Sequence, residues 1–277
     1  MDSRFNCSLW IIAILVSSSF MACSKDDEPI IKEEVEVNHP VYVSEAEQGD
    51  YKNTYSYERV DAKIRLKQID LYKFGFKKYD LKFKYDDQGR LIQCKRSVLL
   101  TDSKYHENVI LNDMLPSDYT IQYGSNKFTV MDNDDISNTR TYSLGSDGFV
   151  EKVSWSIGDK SYLETYKRSA KDFISMDQTL SVGDNSTIQR SVFYYDDKNS
   201  VDYLRVTLPC LFSEYNILRV AVSDDSHDIS RITYAYTYRT YDYPVTILKN
   251  EITFNGEEEV SYRTTTTLKY INADNIE

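Results

Sequence analysis

From about residue 60 to its C-terminus the chain alternates apolar and polar residues with a period of two, not the 3.6 of a helix. The clearest stretch is KKYDLKFKYD, residues 77–86. Tyr79, Leu81, Phe83 and Tyr85 point one way, and Lys78, Asp80, Lys82 and Lys84 the other. Asp86-Asp87-Gln88-Gly89 then supplies turn acids and a glycine free to take positive φ, and RLIQCKRSV returns, which predicts a β-hairpin. Near the C-terminus Ile232, Tyr234, Tyr236 and Tyr238 alternate with Thr233, Ala235, Thr237 and Arg239. Tyr243-Pro244 turns the chain and VTILKNEITFN comes back. After Asn255-Gly256, EEVSYRTTTTLKYI makes a last long strand. Further strands are expected at 62–72, 119–123, 126–131, 138–144, 149–157, 160–167, 172–180, 187–196 and 202–207. LPCLFSEYNILRV (208–220) is ambiguous and reads best as a loop or single turn leading into a strand at 217–222. The expected fold is all-β: an antiparallel meander of about 10–13 strands forming a curved sheet or barrel-like domain, with no substantial helix.

The first fifty residues follow a different rule. SLWIIAILV (8–16) is a short apolar run behind Arg4. It is too short to span a bilayer, which takes about 20 apolar residues, and it fits a secretory signal peptide. Phe20-Met21-Ala22-Cys23 resembles a lipoprotein lipobox, and the resemblance to bacteroidete lipoproteins implies cleavage after Ala22 and acylation, palmitate included, of Cys23. In that group a lysine and two acids just after the acylated cysteine signal export to the outer face of the outer membrane, and Lys25, Asp26 and Asp27 match them. The organisation expected is therefore a signal peptide over 1–22, an acylated cysteine and flexible acidic tether over 23–50, and a single β domain over 51–277. The tether follows from composition: residues 24–50 hold nine acids and two lysines, too little apolar surface to offset the entropy of ordering. An alternative is that Val41-Tyr42-Val43 adds an edge strand to the domain. The implied location is the outer membrane, lipid-anchored and facing the exterior, with a periplasmic orientation as the alternative.

Charge and cysteine content narrow the partners. The net charge of −11, unchanged by loss of the signal peptide, and the lack of any basic run argue against nucleic acid. Cys7 leaves with the signal and Cys23 takes the lipid, so Cys94 and Cys210 remain. An oxidising envelope permits a disulfide between them, but their apolar surroundings equally suit two buried free thiols. Tyrosine is the compositional anomaly, at 24 residues, and in the mature chain it accompanies a single tryptophan, Trp155. Such rings favour strands, where they cover half-buried sheet surface.

The turns echo one another: YDDQGRL (85–91), LGSDGFVEKVSW (144–155), YYDDKNSVDYLRV (194–206) and YRTYDYPVTI (238–247). Their spacing is irregular, which excludes a fixed-period solenoid. The first is similar to the tyrosine-aspartate repeats of large bacterial surface shells. Together the four resemble a bacteroidete outer-membrane lipoprotein family of unknown function with a porin-like β fold, over about residues 60–271. That family has no assigned active site, so the resemblance implies a fold and a location but no functional residues. A lipid-spanning barrel is disfavoured, since the chain ends in KYINADNIE rather than an aromatic-terminated strand, and a lipid anchor would be redundant.

Little here points to catalysis. HExxH, GxSxG, Walker-type and GxGxxG stretches are all missing from the sequence, so the enzyme question leans towards no, without a catalytic residue to name. Asp132-Asn133-Asp134 begins like a calcium loop, but Ile136 and Ser137 break the pattern, and SDDSHD (223–228) suits a solvated turn. No metal or cofactor is expected. The tyrosines of one face, Tyr234, Tyr236 and Tyr238 with Tyr262 and Tyr270 on the neighbouring strand, are the candidate ligand-binding residues, for a glycan or an envelope protein. The overall expectation is a lipid-anchored binding or structural accessory. A carboxylate-dependent glycan-processing enzyme and a carrier of lipid or another small ligand are the alternatives.

Overall fold

The computed structural model describes residues 41–98, 115–116, 118–169, 172–200, 208–211, 213, 215–239, 242–255 and 258–277. Cys23, Lys25, Asp26, Asp27 and the strand expected at 202–207 lie outside the described residues.

Sixteen strands follow one another: β1 (Val41–Gln48), β2 (Tyr51–Val60), β3 (Lys63–Lys73), β4 (Phe76–Tyr85), β5 (Leu91–Val98), β6 (Tyr119–Tyr123), β7 (Lys127–Asp132), β8 (Arg140–Leu144), β9 (Val150–Ile157), β10 (Lys160–Ser169), β11 (Asp172–Val182), β12 (Asn185–Asn199), β13 (Tyr215–Ser223), β14 (Asp228–Tyr238), β15 (Pro244–Asn255) and β16 (Glu258–Asn272). Each pairs antiparallel with the next, and β1 pairs with β16 to close a barrel. Among the described residues the only helical pieces are single 3-10 turns at Ile136–Asn138, Pro209–Leu211 and Ala273–Asn275. The all-β meander is thus the observed fold, with sixteen strands rather than 10–13. Two of the extra strands, β1 and β2, come from 41–60. Val41-Tyr42-Val43 does belong to a strand, but to the one that closes the barrel between β16 and β2 rather than to an edge strand. Glu45 sits on that closing strand between Lys52 and Lys269, at 2.9 and 2.7 Å, so acids that read as tether chemistry are partners of the neighbouring strands.

Burial in a single closed barrel tells inside from outside. Tyr79 and Leu81 are buried while Lys82 and Lys84 are exposed, so the aromatic face of β4 is the inner one. Register carries the assignment round the wall. Leu268, Ala46, Asn53, Leu71 and Tyr79 form one inner row, and Thr237, Thr246, Thr267, Glu47, Lys52, Tyr72 and Lys77 an outer one. That outer row is polar apart from Tyr72, although on β15 the outward residues Leu248, Ile252 and Phe254 are apolar. A lipid-spanning barrel has the reverse pattern, with apolar residues outward.

Several of the tyrosines share one structural use. In each even-numbered strand one inner position lies at the end that also holds the barrel's N-terminal strand start: Tyr57, Tyr85, Tyr123, Leu144, Arg168, Tyr195, Tyr238 and Tyr270. All but Tyr123 sit opposite a residue that precedes a one-residue bulge in the following strand. A bulge takes a carbonyl out of the ladder, and a buried carbonyl needs another donor. Tyrosine hydroxyls supply it. Tyr57 donates to Val43 O at 2.9 Å, Tyr85 to Leu66 O at 2.6 Å, Tyr123 to Leu91 O at 2.9 Å, and Tyr270 to Pro244 O. In β14 the donor is Tyr236, two residues earlier, to Ile217 O at 2.6 Å. Every one of these acceptors is the residue just before a bulge. This hairpin device, a tyrosine hydroxyl bonded to the carbonyl before a bulge, recurs from β2, β4, β6, β14 and β16, whereas β8 and β10 carry Leu144 and Arg168 at the tyrosine position.

Candidate functional site

The inner wall changes character half-way round. One row runs Phe128, Tyr142, Val153, Glu164, Gln178, Gln189 from β7 to β12. Its first three members are buried and apolar, and Phe128 and Tyr142 stack at 4.7 Å. Its last three are polar, and none of them is buried. The largest fully buried side chains, Tyr119, Tyr142, Phe128, Leu66, Ile69, Leu81, Leu91, Val130, Val150, Val153 and Asn53, all belong to β2–β9 and none to β10–β16. Leu115, Leu208 and Leu211, from the segments joining β5 to β6 and β12 to β13, pack into the same core. Among the described residues, β10–β16 contribute fewer buried apolar side chains, chiefly Phe173, Val220 and Leu268.

The polar half carries organised hydrogen bonds. Glu164 accepts from the Tyr166 hydroxyl at 2.6 Å and from Gln178 Nε2 at 3.0 Å. Burial, with the Glu164 carboxylate beside it, pushes the Tyr166 hydroxyl well above its usual range, so it is a donor and not a base. Two further inner rows cross β14–β16: Tyr234, Lys249, Thr264 and Ile232, Glu251, Tyr262. Lys249 and Glu251 pair at 3.0 Å, each about one-third exposed although they face inward. That exposure shows that the inner surface of β15 is open to water at these two positions. At the end away from the N-terminal strand start, Trp155 stacks on Tyr162 at 4.8 Å and has Arg140 over it at 4.9 Å. Both faces of the indole are covered, so it braces the wall.

All five tyrosines singled out from sequence lie on the inner face, but the structure divides them. Tyr236 and Tyr270 hold bulge carbonyls, and Tyr238 donates to Asp196. Burial raises the pKa of all three, in keeping with locked, neutral hydroxyls. Tyr234 stacks on Tyr236 at 6.3 Å. Only Tyr262, 62% exposed and directly across from Glu251, presents a free ring. Glu164, Gln178, Lys249 and Glu251 were not legible as site residues. In ILKNEITF Leu248, Ile252 and Phe254 face outward with Asn250, and Lys249, Glu251 and Thr253 face inward with Ile247, so the more apolar face is the outer one, opposite to what alternation suggests.

The remaining candidates resolve into structure. Cys94 and Cys210 are free thiols, Cys94 fully buried. Burial pushes the Cys210 thiol up to about 11 and Cys94 higher still. Asp132 accepts from the backbone N–H groups of Asp134 and Asp135 and from Asn138 Nδ2. Asp224 does the same for Ser226 and His227. Both acidic clusters are turn caps, and no group of three or more His, Cys, Asp or Glu among the described residues is placed to hold a metal.

Comparison with known proteins yields no matching family model and no matching curated protein. Among solved structures, a porin-like protein from Bacteroides uniformis ATCC 8492 is similar at 12% identity and a TM-score of 0.36, over 83% of this chain and 98% of that one. A second porin-like protein, from Bacteroides vulgatus ATCC 8482, is similar at 13% identity and a TM-score of 0.30, over 83% and 99%. Likeness at this level is no guide to function.

Proposed function

We propose that this chain is a lipid-anchored protein of the outer membrane whose barrel stands in water beside the bilayer and serves as a non-enzymatic binding accessory, with the polar half of its lumen as the binding surface. The outer wall carries the first part of this reading. A barrel with Glu47, Lys52 and Lys77 in one outward row would strand charges in lipid, each costing several kcal/mol if buried there. A protein that cannot embed needs an anchor. Acyl chains on Cys23 supply one, at about 0.8 kcal/mol per buried CH₂. Seventeen residues separate Cys23 from Val41, a reach of about 60 Å when extended. Lys25-Asp26-Asp27 then serves as the export address and favours the exterior face.

Metabolic labelling with a palmitate analogue tests the anchor. The wild type is expected to carry label and to sediment with outer membranes, and Cys23→Ala to lose both. Undiminished labelling of Cys23→Ala would end this reading. Protease shaving of intact cells tests the orientation, with cleavage of the surface domain expected and full protection of residues 41–277 contradicting it.

A further inference from the structure

We propose that the inner surface of β14–β16 at the open end of the lumen is a subsite for a neutral oligosaccharide, with Tyr262 as the stacking ring and Glu251 and Lys249 as the hydrogen-bonding pair. The proposal rests on the reading of the lumen as the binding surface and adds the class of ligand.

Three observations converge. Tyr262 is the most exposed tyrosine on the inner wall, 62% accessible, although it lies on the face that elsewhere buries its rings. An aromatic face left open inside a barrel offers the C–H side of a sugar ring a contact that water does not improve. Glu251 is its direct cross-strand neighbour, and Lys249 lies in the next inner row beside Thr264. A carboxylate, an ammonium and a hydroxyl therefore surround the ring with both acceptors and donors, as a polyhydroxylated ligand requires.

Charge selects against ions. The Lys249–Glu251 pair at 3.0 Å neutralises itself, so neither an anion nor a cation finds an unmatched partner. An acyl chain is disfavoured for a different reason. It would take Lys249 and Glu251 out of water without giving hydrogen bonds in return, a cost of about 1–3 kcal/mol or more for each group. Hydroxyl groups return those hydrogen bonds. Trp155 is not the platform, since Arg140 and Tyr162 cover its two faces.

Isothermal titration calorimetry of the full chain in detergent tests this with cellohexaose, maltohexaose, xylohexaose and chitohexaose as neutral probes, hexagalacturonate as the charged one and laurate as the apolar one. At least one neutral hexasaccharide is expected to bind. Tyr262→Ala and Glu251→Gln are each expected to weaken it tenfold or more, while Arg263→Ala, the outward neighbour of Tyr262, leaves it unchanged. Circular dichroism confirms that the variants fold, which the exposure of Tyr262 favours. Silence from all four neutral probes, or unaltered binding to Tyr262→Ala, overturns the proposal. Binding of laurate or hexagalacturonate alone refutes the ligand class and leaves the lumenal reading standing, whereas silence from every probe removes both.

Discussion

The two halves of the barrel wall share a backbone plan and differ in what they turn inward. In β2–β9 the inner positions hold Leu66, Ile69, Leu81, Phe128 and Val153, all nearly inaccessible. In β10–β16 the inner positions include Glu164, Gln178, Gln189, Lys249, Glu251 and Thr264 beside fewer buried apolar residues such as Val220 and Leu268. The hairpin device at the N-terminal end recurs in both, so the closure of the barrel does not depend on filling it. Stability is concentrated in one wall, and the other is released to present polar groups to water.

Both walls hang on β1, and the largest effect is expected there. A chain starting at Tyr51 lacks the strand that joins β16 to β2 and leaves two open edges. It is expected to aggregate or to show no cooperative urea transition, whereas a chain starting at Asn38 unfolds cooperatively. Equal behaviour of the two would mean that closure is dispensable.

The contrast between the walls comes next in size. Phe128→Ala, in the filled wall, is expected to cost about 3–5 kcal/mol, the range for a large side chain removed from a core. Ile232→Ala, at a half-buried inner position of the open wall, is expected to cost about 1 kcal/mol, because water can enter where the side chain was. Urea midpoints measure both, and equal losses would erase the distinction.

The hairpin device gives a smaller and oppositely signed test. Arg168 occupies a tyrosine position, with its guanidinium between Phe149 and Phe173 at 3.9 and 4.1 Å and its nitrogens buried with no hydrogen-bond partner. Burial lowers its pKa, which marks the charge as costly. Arg168→Tyr is expected to stabilise by about 1 kcal/mol, by removing a buried charge and offering a hydroxyl towards β9. Tyr85→Phe is expected to destabilise by a similar amount, since Leu66 O loses its donor. The reverse ordering of the two variants would refute the repeated device.

The thiols give the smallest effect. With Cys210 raised to about 11 and Cys94 higher, neither is ionised at pH 8, and neither is expected to react with a thiol reagent until urea unfolds the chain. Rapid native reaction of Cys94 would contradict a filled wall.

Much of the strand plan was legible because alternation is a local signal. Tyr79, Leu81, Phe83 and Tyr85 identified their own inner face, and LPCLFSEYNILRV gave the expected short turn and strand. Strand β1 was obscured because Glu45 and Glu47 read as tether acids, while their partners Lys52 and Lys269 are supplied by neighbouring strands, one of them 224 residues away. The open wall was obscured for a different reason. Period two separates two faces but does not say which is inner, and in β15 the more apolar face is the outer one. The tyrosine count was legible as an anomaly, but the use of five of them depends on bulge positions that only register reveals.

Accessibility of the inner wall to a small water-soluble thiol reagent tests the central claim most directly. Single cysteines are introduced by Gln178→Cys and Thr264→Cys in the open wall and by Ile121→Cys and Val153→Cys in the filled one, with Arg263→Cys as an outer reference. Gln178→Cys and Thr264→Cys are expected to react within about tenfold of the outer reference, and Ile121→Cys and Val153→Cys at least a hundredfold more slowly, a gap of about 2.7 kcal/mol in opening free energy. Protection of Gln178→Cys and Thr264→Cys equal to that of Val153→Cys would contradict the account.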